Sequence, residues 1–347
     1  MNEPRSILVV RRDNIGDLVC TTPLLHALRE RFPRAWLGVY ANSYNAPILA
    51  GHPDVDEILV YRKAKHHPEI GRLALLAERL RLVRSLRARR LDCVILAAPG
   101  EQPRQRWFAR LLAPRRIVEY GDGASPGNTR RYTIPVAAAR GLHEVEAVFL
   151  LARAFGIEGP PPPLSLAVDP AEAMRVRAAL RTAGLASASR LVGVHVSARK
   201  PSQRWPGERF VALMRRMLET APCAFLLLWS PGSPDDPRHP GDDDKAAAIA
   251  RALGTAPVLA YPTERLGALV AALDACQQVI CSDGGAMHVA AALGKPVVCF
   301  FGRSDPVRWR PWGVPHRVLQ APSFDVADIG VAEAFEAWRA LPAASAR

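Results

Sequence analysis

The chain has 347 residues, 49% of them hydrophobic, and a mean hydropathy near zero, which is enough for two ordinary globular domains with large cores. The first apolar run has four residues and is closed by Arg11 and Arg12, so it is too short for a signal peptide or a membrane span. We therefore expect a cytoplasmic protein. The six cysteines lack the spacing of zinc ligands or a CxxC pair, which predicts buried, reduced thiols.

The formal net charge of +13 predicts an anionic partner, and its distribution indicates where that partner binds. Residues 1–163 carry 25 Lys and Arg against 16 acids, and the remainder carries 21 against 17. The excess is densest over residues 62–90, where ten cations face only Glu69 and Glu78. This segment is either a solvated arginine-rich helix face or a dock for an anionic acceptor or an acidic membrane surface. Nucleic acid is disfavoured, because no recognisable binding motif accompanies the charge.

Short apolar runs alternate with segments of helical period through the first half, which is the pattern of βαβ units around a parallel sheet. The predicted strands cover residues 6–12, 35–41, 57–61, 92–98 and 116–120. The predicted helices cover residues 23–32, 69–89 and 144–155. The middle helix has an apolar stripe, which we interpret as facing the core rather than a membrane. The stripe consists of Ile70, Leu73, Leu76, Leu80 and Val83.

Gly159 and the four prolines that follow it cannot continue a helix, so they predict a stiff linker between domains. The predicted domains are residues 1–160 and 164–325, and a tail of residues 326–347 is expected to form a helix that packs back on the first domain. Beyond the linker the alternation restarts. The predicted helices cover residues 170–183, 207–219, 244–253, 264–274 and 286–293. The predicted strands cover residues 191–197, 224–230, 257–261, 278–282 and 296–302. The fold class is therefore α/β, with two Rossmann-like doubly wound domains and a ligand site expected in the cleft between them, at the carboxyl ends of their strands.

The first segment with chemical content runs from the end of strand one into the first predicted helix. Pro23 suits the first position of that helix, with Thr22 or Thr21 as the N-cap. On this interpretation Asp17 is left in the connecting loop. It is either a general base that takes a proton from an acceptor hydroxyl or the cap of an earlier helix start.

Neighbouring residues complete the predicted acceptor side of the site. Gly16 allows the backbone to approach a ligand closely, and Asn14 and Thr21 belong to the same predicted surface. Asp13 is a weaker candidate for the base, because it lies nearer the strand.

The second segment follows the first strand of the second domain. Ser197, Arg199, Lys200 and Arg204 place a hydroxyl and three cations at the edge of the expected cleft, which suits a diphosphate. Fixed cations also stabilise the charge of a departing nucleoside diphosphate without a metal. The alternative is a basic surface loop. Trp205 is interpreted as a packing residue.

The third segment is the most informative. A buried strand ends at Ser282, residues 283–285 form a turn, and a helix of small residues begins at once. The free N–H groups at such a helix start bind anions. His288 lies in the first turn of the helix and is expected to point at the same site, and Met287 is included in the predicted donor site. The segment lacks the GxGxxG spacing of dinucleotide-binding enzymes.

Four motifs in this order resemble those of glycosyltransferase family 9, the ADP-heptose:lipopolysaccharide heptosyltransferases. The motifs are RxDxIGDxxxTTP at residues 11–23, RWPxERF at 204–210, SDGGAMHxAAALGKPVV at 282–298 and FGxSDPxxWxPxG at 301–313. The resemblance covers nearly the whole chain. It implies a GT-B fold and an inverting transfer that needs no cofactor and no catalytic metal, with the donor bound mainly by the C-terminal domain.

The resemblance also assigns roles to residues. Asp17 corresponds to the catalytic base, and Thr263 is expected near the adenine. The donor diphosphate and sugar are expected to contact Ser197, Ser282, Asp283, Gly284, Gly285 and His288. The chain departs from the family pattern at Gln203, where the family has Lys, and at Gly284, where it has Thr or Ser. Lys200 or Arg204 is the expected substitute for the missing Lys.

The function implied is transfer of a heptose from ADP-heptose to an anionic lipopolysaccharide core acceptor. Its partners are then a nucleotide-sugar donor, an anionic glycolipid and, peripherally, the inner face of the inner membrane. Two alternatives stay open: a family 9 enzyme with another nucleotide-sugar donor or a protein or glycan acceptor, and a non-catalytic nucleotide-sugar-binding protein.

Overall fold

A computed structural model describes residues 3–62, 71–121, 131–235 and 240–342. The chain divides into two compact units, Met1–Ala167 and Val168–Arg347.

The first unit is built on a parallel six-stranded sheet with strand order β3-β2-β1-β4-β5-β6. Its strands are β1 (Ser6–Val10), β2 (Trp36–Asn42), β3 (Glu57–Tyr61), β4 (Cys93–Leu96), β5 (Arg116–Tyr120) and β6 (Arg131–Ile134). Its helices are α1 (Ile15–Val19), α2 (Thr22–Arg31), α3 (Arg72–Ala88), α4 (Pro103–Leu111) and α5 (Glu144–Phe149). The last of these continues as a 3-10 helix, Leu150–Phe155. Strand β1 is buried along its whole length, because it lies in the middle of a parallel sheet, with strands at both edges and the crossover helices over its faces.

The second unit repeats the architecture with strand order β12-β11-β10-β7-β8-β9, again all parallel. Its strands are β7 (Leu191–His195), β8 (Ala224–Trp229), β9 (Val258–Pro262), β10 (Gln278–Ser282), β11 (Val297–Phe301) and β12 (His316–Gln320). Its helices are α6 (Pro170–Thr182), α7 (Gly207–Thr220), α8 (Asp243–Leu253), α9 (Leu266–Asp274), α10 (Gly285–Ala292), α11 (Pro306–Trp309) and α12 (Val331–Arg339). The two doubly wound α/β sheets confirm the predicted fold class.

Most of the apolar stripe predicted for α3 does not face the core, although Val83 is partly buried and packs against the core cluster of the first unit. Leu73, Leu76 and Leu80 are 83%, 52% and 49% exposed, whereas Leu75 and Leu86 on the opposite side are buried. Leu86 packs into the apolar cluster that covers one face of the first sheet. Leucines occur on both sides of this helix, so the spacing did not show which side the sheet covers. Ile70 lies outside the described residues.

The segment after the proline run stays attached to the first unit. The Ser165 N–H donates to the Thr22 hydroxyl at 3.2 Å, and the Ser165 hydroxyl lies 3.1 Å from Nε2 of buried His52. These contacts explain why the division falls between Ala167 and Val168 rather than within the prolines.

The last helix, α12, packs on α7, β11 and β12 of the second unit. Its buried Phe335 and Trp338 belong to the same apolar cluster as Trp205. The Trp338 indole N–H also donates to Oε1 of Gln278 at 2.8 Å. The sequence led us to expect this helix on the first domain; its aromatic side instead completes the core of the second unit.

Candidate functional site

Both sheets have a point where the chain reverses its direction of winding. In the first sheet this point lies between β1 and β4, and in the second between β7 and β10. The loops at the carboxyl ends of such neighbouring strands splay apart and form the usual ligand crevice of a doubly wound sheet. The loops after β1, β7 and β10 carry the three segments singled out in the sequence, so each lies at the carboxyl edge of its own sheet.

Asp17 lies in a short helix that the sequence did not predict. Helix α1 begins at Ile15, and the Asp17 carboxylate accepts hydrogen bonds from the backbone N–H and Nδ2 of its N-cap, Asn14, both at 2.9 Å. Asp17 therefore does cap an earlier helix start, which was the alternative to a free loop carboxylate. The same bonds place Asn14 directly beside Asp17, on the exposed side of the loop.

The other predicted acceptor-side residues have structural positions. Gly16 is buried within α1, and its carbonyl accepts the N–H of Cys20 at 2.9 Å. The Thr21 and Thr22 hydroxyls donate back to the carbonyls of Asp17 and Val19, at 2.9 and 2.8 Å. Neither hydroxyl caps α2, because the preceding turn of α1 offers carbonyl acceptors and α1 was not predicted from the sequence.

A buried arginine holds Asp17 in place. One nitrogen of Arg11, Nη2, donates to Oδ1 of Asp17 at 2.7 Å and to Oε1 of Glu144 at 2.6 Å. Its Nη1 donates to the carbonyl of Ala97, after β4. The Arg11 side chain is 2% exposed and that of Glu144 is fully buried. Arg11 therefore joins the carboxyl ends of β1 and β4 to the start of α5.

The charges of this cluster decide its protonation. Burial by itself raises the pKa of Asp17, but the Arg11 charge and the Asn14 hydrogen bonds outweigh it, so the pKa lies below the ordinary 3.8. Asp13 is 3.2 Å from Nε of Arg11, and there burial prevails and raises the pKa of the carboxyl. Asp17 is consequently ionised at neutral pH and held in one orientation.

Arg11 and Glu144 were not predicted from the sequence as parts of this site. Arg11 stood inside the first quoted motif, and its position at the end of a buried strand was the available signal. Glu144 is separated from Arg11 by 133 residues along the chain. No local pattern connects the two.

Arginine side chains and aromatic rings lie in contact beside β3 in the first unit. The Arg12 guanidinium lies 4.8 Å from the ring centre of Tyr61, and that of Arg79 lies 4.9 Å from the same ring. Tyr40 stacks on Phe108. A cavity of about 220 Å³ opens here, with Arg79 and Arg62 in its lining. The basic segment of residues 62–90 thus contributes to a cavity at this sheet, while its residues 63–70 lie outside the described residues.

The turn after β10 has the form expected of an anion site. Ser282 ends the strand, and Gly284 is the N-cap of α10, with an exposed, extended backbone. A Cβ placed on Gly284 would meet only the Ser282 carbonyl oxygen at 4.0 Å. Packing within the described chain therefore does not require glycine there, and the space beside the helix start is open. Gly285 begins the helix.

Gln203 links the loops of the second unit. Its Nε2 donates to Oδ2 of Asp283 at 2.7 Å and to the hydroxyl of Ser304 at 3.3 Å. Gln203 is buried. Burial also raises the pKa of the Asp283 carboxyl, although the hydrogen bond with Ser304 and the charge of Lys200 act to lower it. Gln203 is thus a neutral bridge between the loops after β7, β10 and β11. Ser304 was not singled out from the sequence.

Ser197 and Thr263 join the remaining loops of this edge. The Ser197 hydroxyl accepts the N–H of Ser230 at 2.9 Å. The Thr263 hydroxyl donates to the Trp229 carbonyl at 2.6 Å, and the Thr263 N–H donates to the same oxygen at 3.0 Å. Both hydroxyls thus make bonds that hold the loops after β7, β8 and β9 together.

The three predicted cations differ in position. Arg199 and Lys200 are exposed. Arg204 is half-buried, and its Nε donates to the Ala198 carbonyl at 3.0 Å, which closes the loop on itself. Trp205 is buried against Phe300 and packs in the core as predicted.

Two residues of the third segment face inward. Met287 is fully buried, and its sulfur lies 3.0 Å from Sγ of Cys299. Its side chain therefore packs in the core of the second unit, because the third position of α10 turns toward β11. His288 is 3% exposed, and its ring packs edge-to-face on Trp309 at 5.9 Å. The imidazole is therefore buried beside Trp309 rather than facing solvent in this structure.

Three further features bear on the site. Within residues 3–62, 71–121, 131–235 and 240–342, no group of three or more His, Cys, Asp or Glu is arranged to hold a metal ion. All six cysteines are buried free thiols, as predicted. In the same ranges no helix combines the length and apolarity that crossing a bilayer requires.

Comparison with known proteins agrees with the motifs. The family model described as glycosyltransferase family 9 (heptosyltransferase) matches residues 79–331. The chain is 26% identical to lipopolysaccharide heptosyltransferase 3 of Escherichia coli over 86% of this chain and 83% of that protein. It is 28% identical to lipopolysaccharide heptosyltransferase 2 of Salmonella typhimurium over 90% of this chain and 87% of that protein.

Solved structures share the fold. A family 9 glycosyltransferase from Veillonella parvula superposes with a TM-score of 0.78 at 20% identity, covering 96% of each chain. The E. coli ADP-heptose lipopolysaccharide heptosyltransferase II gives 0.72 at 22% identity, covering 96% of this chain and 98% of that one. These likenesses show a GT-B fold. Because the family model spans well over half of the sequence, the chain belongs to glycosyltransferase family 9, the heptosyltransferase family, and is a glycosyltransferase.

Proposed function

We propose that this enzyme transfers a heptose from ADP-heptose to an anionic core acceptor of lipopolysaccharide, with inversion at the anomeric carbon and with Asp17 as the general base. The observation that carries the proposal is the Asp17 carboxylate, which Arg11 and Asn14 hold ionised at the carboxyl edge of the first sheet. The relatives support the substrates, since they are named lipopolysaccharide heptosyltransferases. One solved family structure contains ADP-2-deoxy-2-fluoro heptose.

The proposed reaction needs one proton transfer and one displacement. Asp17 takes the proton of the acceptor hydroxyl as the hydroxyl oxygen attacks the anomeric carbon. The bond from that carbon to the diphosphate oxygen breaks, and ADP leaves with the electron pair. Fixed orientation matters more here than high basicity, because the hydroxyl becomes acidic only as the new bond forms.

The second unit would stabilise the departing diphosphate. The free N–H groups at the start of α10 and the exposed cations Arg199 and Lys200 lie at the carboxyl edge of the sheet, where they would offset the charge on ADP without a metal ion. Ser197, Ser282, Asp283 and His288 are proposed to shape this donor site, and Thr263 is proposed to lie near the adenine. Bonds such as that from Gln203 to Asp283 would hold its loops in place.

The acceptor is proposed to bind the first unit. The cavity lined by Arg62 and Arg79 beside Tyr61 suits an anionic sugar. We further propose that the enzyme acts at the cytoplasmic face of the inner membrane and is bound there peripherally.

The substrates are tested by product analysis. The protein is incubated with ADP-heptose and truncated lipopolysaccharide acceptors in the presence of EDTA, and product mass and anomeric configuration are read by mass spectrometry and NMR. A heptosylated product of inverted configuration is expected. Absence of product with every acceptor, retention of configuration or a requirement for added metal would overturn the corresponding part of the proposal. Calorimetry with ADP, UDP and GDP tests the nucleotide, and ADP is expected to bind most tightly.

The base is tested with a pair of neighbouring acids. Asp17→Asn should lower kcat by about 10²–10⁴-fold while leaving the Kd for ADP unchanged, because a general base acts only in the transition state. Asp13→Asn, which alters the other loop carboxylate near Arg11, is the matched control and should retain most of the activity. The assignment fails when the two variants exchange these outcomes or when Asp17→Asn turns over normally.

A further inference from the structure

Helix α3 has two apolar sides, and the sheet covers only one of them. Leu75 and Leu86 are buried on the inner side, and Leu86 packs among the core residues of the first unit. On the outer side Leu73, Leu76 and Leu80 are spaced three and four residues apart, so they form one line along the helix. They are 83%, 52% and 49% exposed. Three large exposed side chains in one line on a packed helix indicate a surface that meets an apolar partner.

Arginines follow the leucines along the outer side of the helix. Positions 84 and 87 follow Leu80 at the spacing that keeps them on the outer side, and both are exposed arginines, as is the neighbouring Arg81. The helix carries five arginines and a single acid, Glu78, which pairs with Arg62 at 3.3 Å. We call the leucines 73, 76 and 80 with the arginines 81, 84 and 87 the outer face of α3.

The helix is held firmly enough to present this face. Arg79 donates to the hydroxyl of Tyr61 at 3.2 Å, and Arg87 donates through Nη1 to the Leu111 carbonyl at the end of α4 at 3.1 Å. Leu75 and Leu86 anchor the inner side. The outer leucines are therefore displayed by a fixed helix rather than by a fraying segment.

The arginines of the outer face of α3 indicate which kind of partner binds there. Two copies of the chain that paired through this face would bring their arginines together, and like charges at such an interface oppose association. A surface that offers both an apolar layer and anionic groups satisfies leucines and arginines at once. A bilayer with acidic headgroups has that composition, and helices that lie in its interface combine large apolar side chains with Lys and Arg.

We infer that the outer face of α3 docks the enzyme on an anionic lipid surface, with Leu73, Leu76 and Leu80 entering the headgroup boundary and the arginines contacting lipid phosphates. The inference rests on the proposed function only for its purpose, which is delivery of the enzyme to a lipid-linked acceptor. Vesicle binding is measured without donor or acceptor, so it is independent of catalysis.

The test is flotation with vesicles of phosphatidylglycerol and phosphatidylethanolamine, and with vesicles of phosphatidylcholine alone. The wild-type chain should float with the anionic vesicles only. Leu76→Gln/Leu80→Gln should weaken that partitioning by at least about tenfold, because two leucines no longer enter the apolar layer. Arg81→Gln/Arg84→Gln should weaken it and reduce its dependence on salt. Met174→Gln is the matched control, since Met174 is a 62% exposed apolar residue on α6 of the second unit.

Activity and association separate the remaining outcomes. The leucine variant should turn over a delipidated acceptor at the wild-type rate, which shows that it is folded. Wild-type protein that ignores anionic vesicles, or a leucine variant that binds them like wild type, overturns the inference and leaves the proposed transfer untouched. Binding without any transferase activity supports the inference and counts against the proposed function. A wild-type dimer in sedimentation velocity that Leu76→Gln/Leu80→Gln dissociates would assign the face to a second copy instead.

Discussion

Replacing Arg11 with methionine keeps the length of the side chain and removes the charge that Asp17 and Glu144 share. In the native protein a single nitrogen of Arg11 lies 2.7 Å from one carboxylate and 2.6 Å from the other. The two carboxylate side chains are only 11% and 0% exposed, so water does not replace the lost partner. Removing one member of a buried ion pair costs about 3–5 kcal/mol, most of which is the cost of the charge left behind.

Calorimetry and urea unfolding measure this loss. A domain of 150–250 residues loses about 2–4 °C in Tm for each kcal/mol. The first unit is of that size, so Arg11→Met should lower its transition by about 6–20 °C at neutral pH.

The pH dependence identifies the cause. In the native protein the pKa of Asp17 lies below 3.8, so its pairing stabilises the fold above that pH and is lost as the pH falls through the folded value. In Arg11→Met burial acts without the arginine, and the pKa of Asp17 should rise above 3.8. A raised pKa reverses the sign, so the deficit of the variant should shrink as the pH falls from 7 toward 4.

Arg31→Met is the control for removing an arginine from an ion pair. Arg31 lies 3.3 Å from Glu3, and both side chains are more than half exposed, so its loss should change the stability by less than about 1 kcal/mol. The reasoning is refuted when Arg11→Met is no more destabilised than Arg31→Met, or when its deficit is the same at pH 7 and pH 4.

Three further predictions concern the second unit. Burial lowers the pKa of His195 to about 4; the charge of Lys245 acts in the same direction, and a backbone hydrogen bond with Ser197 opposes it by favouring the imidazolium. The stability of the protein should therefore fall by at most about 3 kcal/mol as the pH drops from 6.5 to about 4. Urea unfolding with a flat pH profile would contradict this. Gln203→Ala should weaken ADP binding by about tenfold in calorimetry, because Asp283 loses the bond that positions its loop; unchanged affinity would remove the bridge from the donor site. Met287→Leu should cost less than about 1.5 kcal/mol and leave ADP affinity intact, as expected of a core position; a selective loss of affinity would return Met287 to the ligand site.

The sequence predicted the strands of both sheets well where they are central and buried. Strands β1, β7 and β10 are buried along nearly their whole length, because they lie in the centre of parallel sheets whose faces are covered by helices. It missed β6 and β12, which are edge strands with half-exposed residues and no continuous apolar run. It also missed α1 and α11, which have five and four residues and are too short to show a period.

The site residues also include some that the sequence predicted and some that it did not. The segments at Asp17, at Ser197 and at Ser282 were recognisable, because polar residues or glycines come directly after a predicted strand in each of them. Met287 was predicted in the donor site, and its side chain lies buried against Cys299 of β11; only the position of β11 shows that this side of α10 packs in the core.

The sequence by itself determined the alternation of strands and helices, the division into two α/β units, the family and the loops that carry the chemistry, because these are recorded in short-range spacing. The tertiary structure alone decided which partners those loops have. Arg11 meets Glu144 across 133 residues and Gln203 meets Asp283 across 80. It also decided that α3 turns its Leu75 side inward and leaves Leu73, Leu76 and Leu80 in water. Periodicity reports that a face is apolar; only packing against the sheet decides which apolar face is buried.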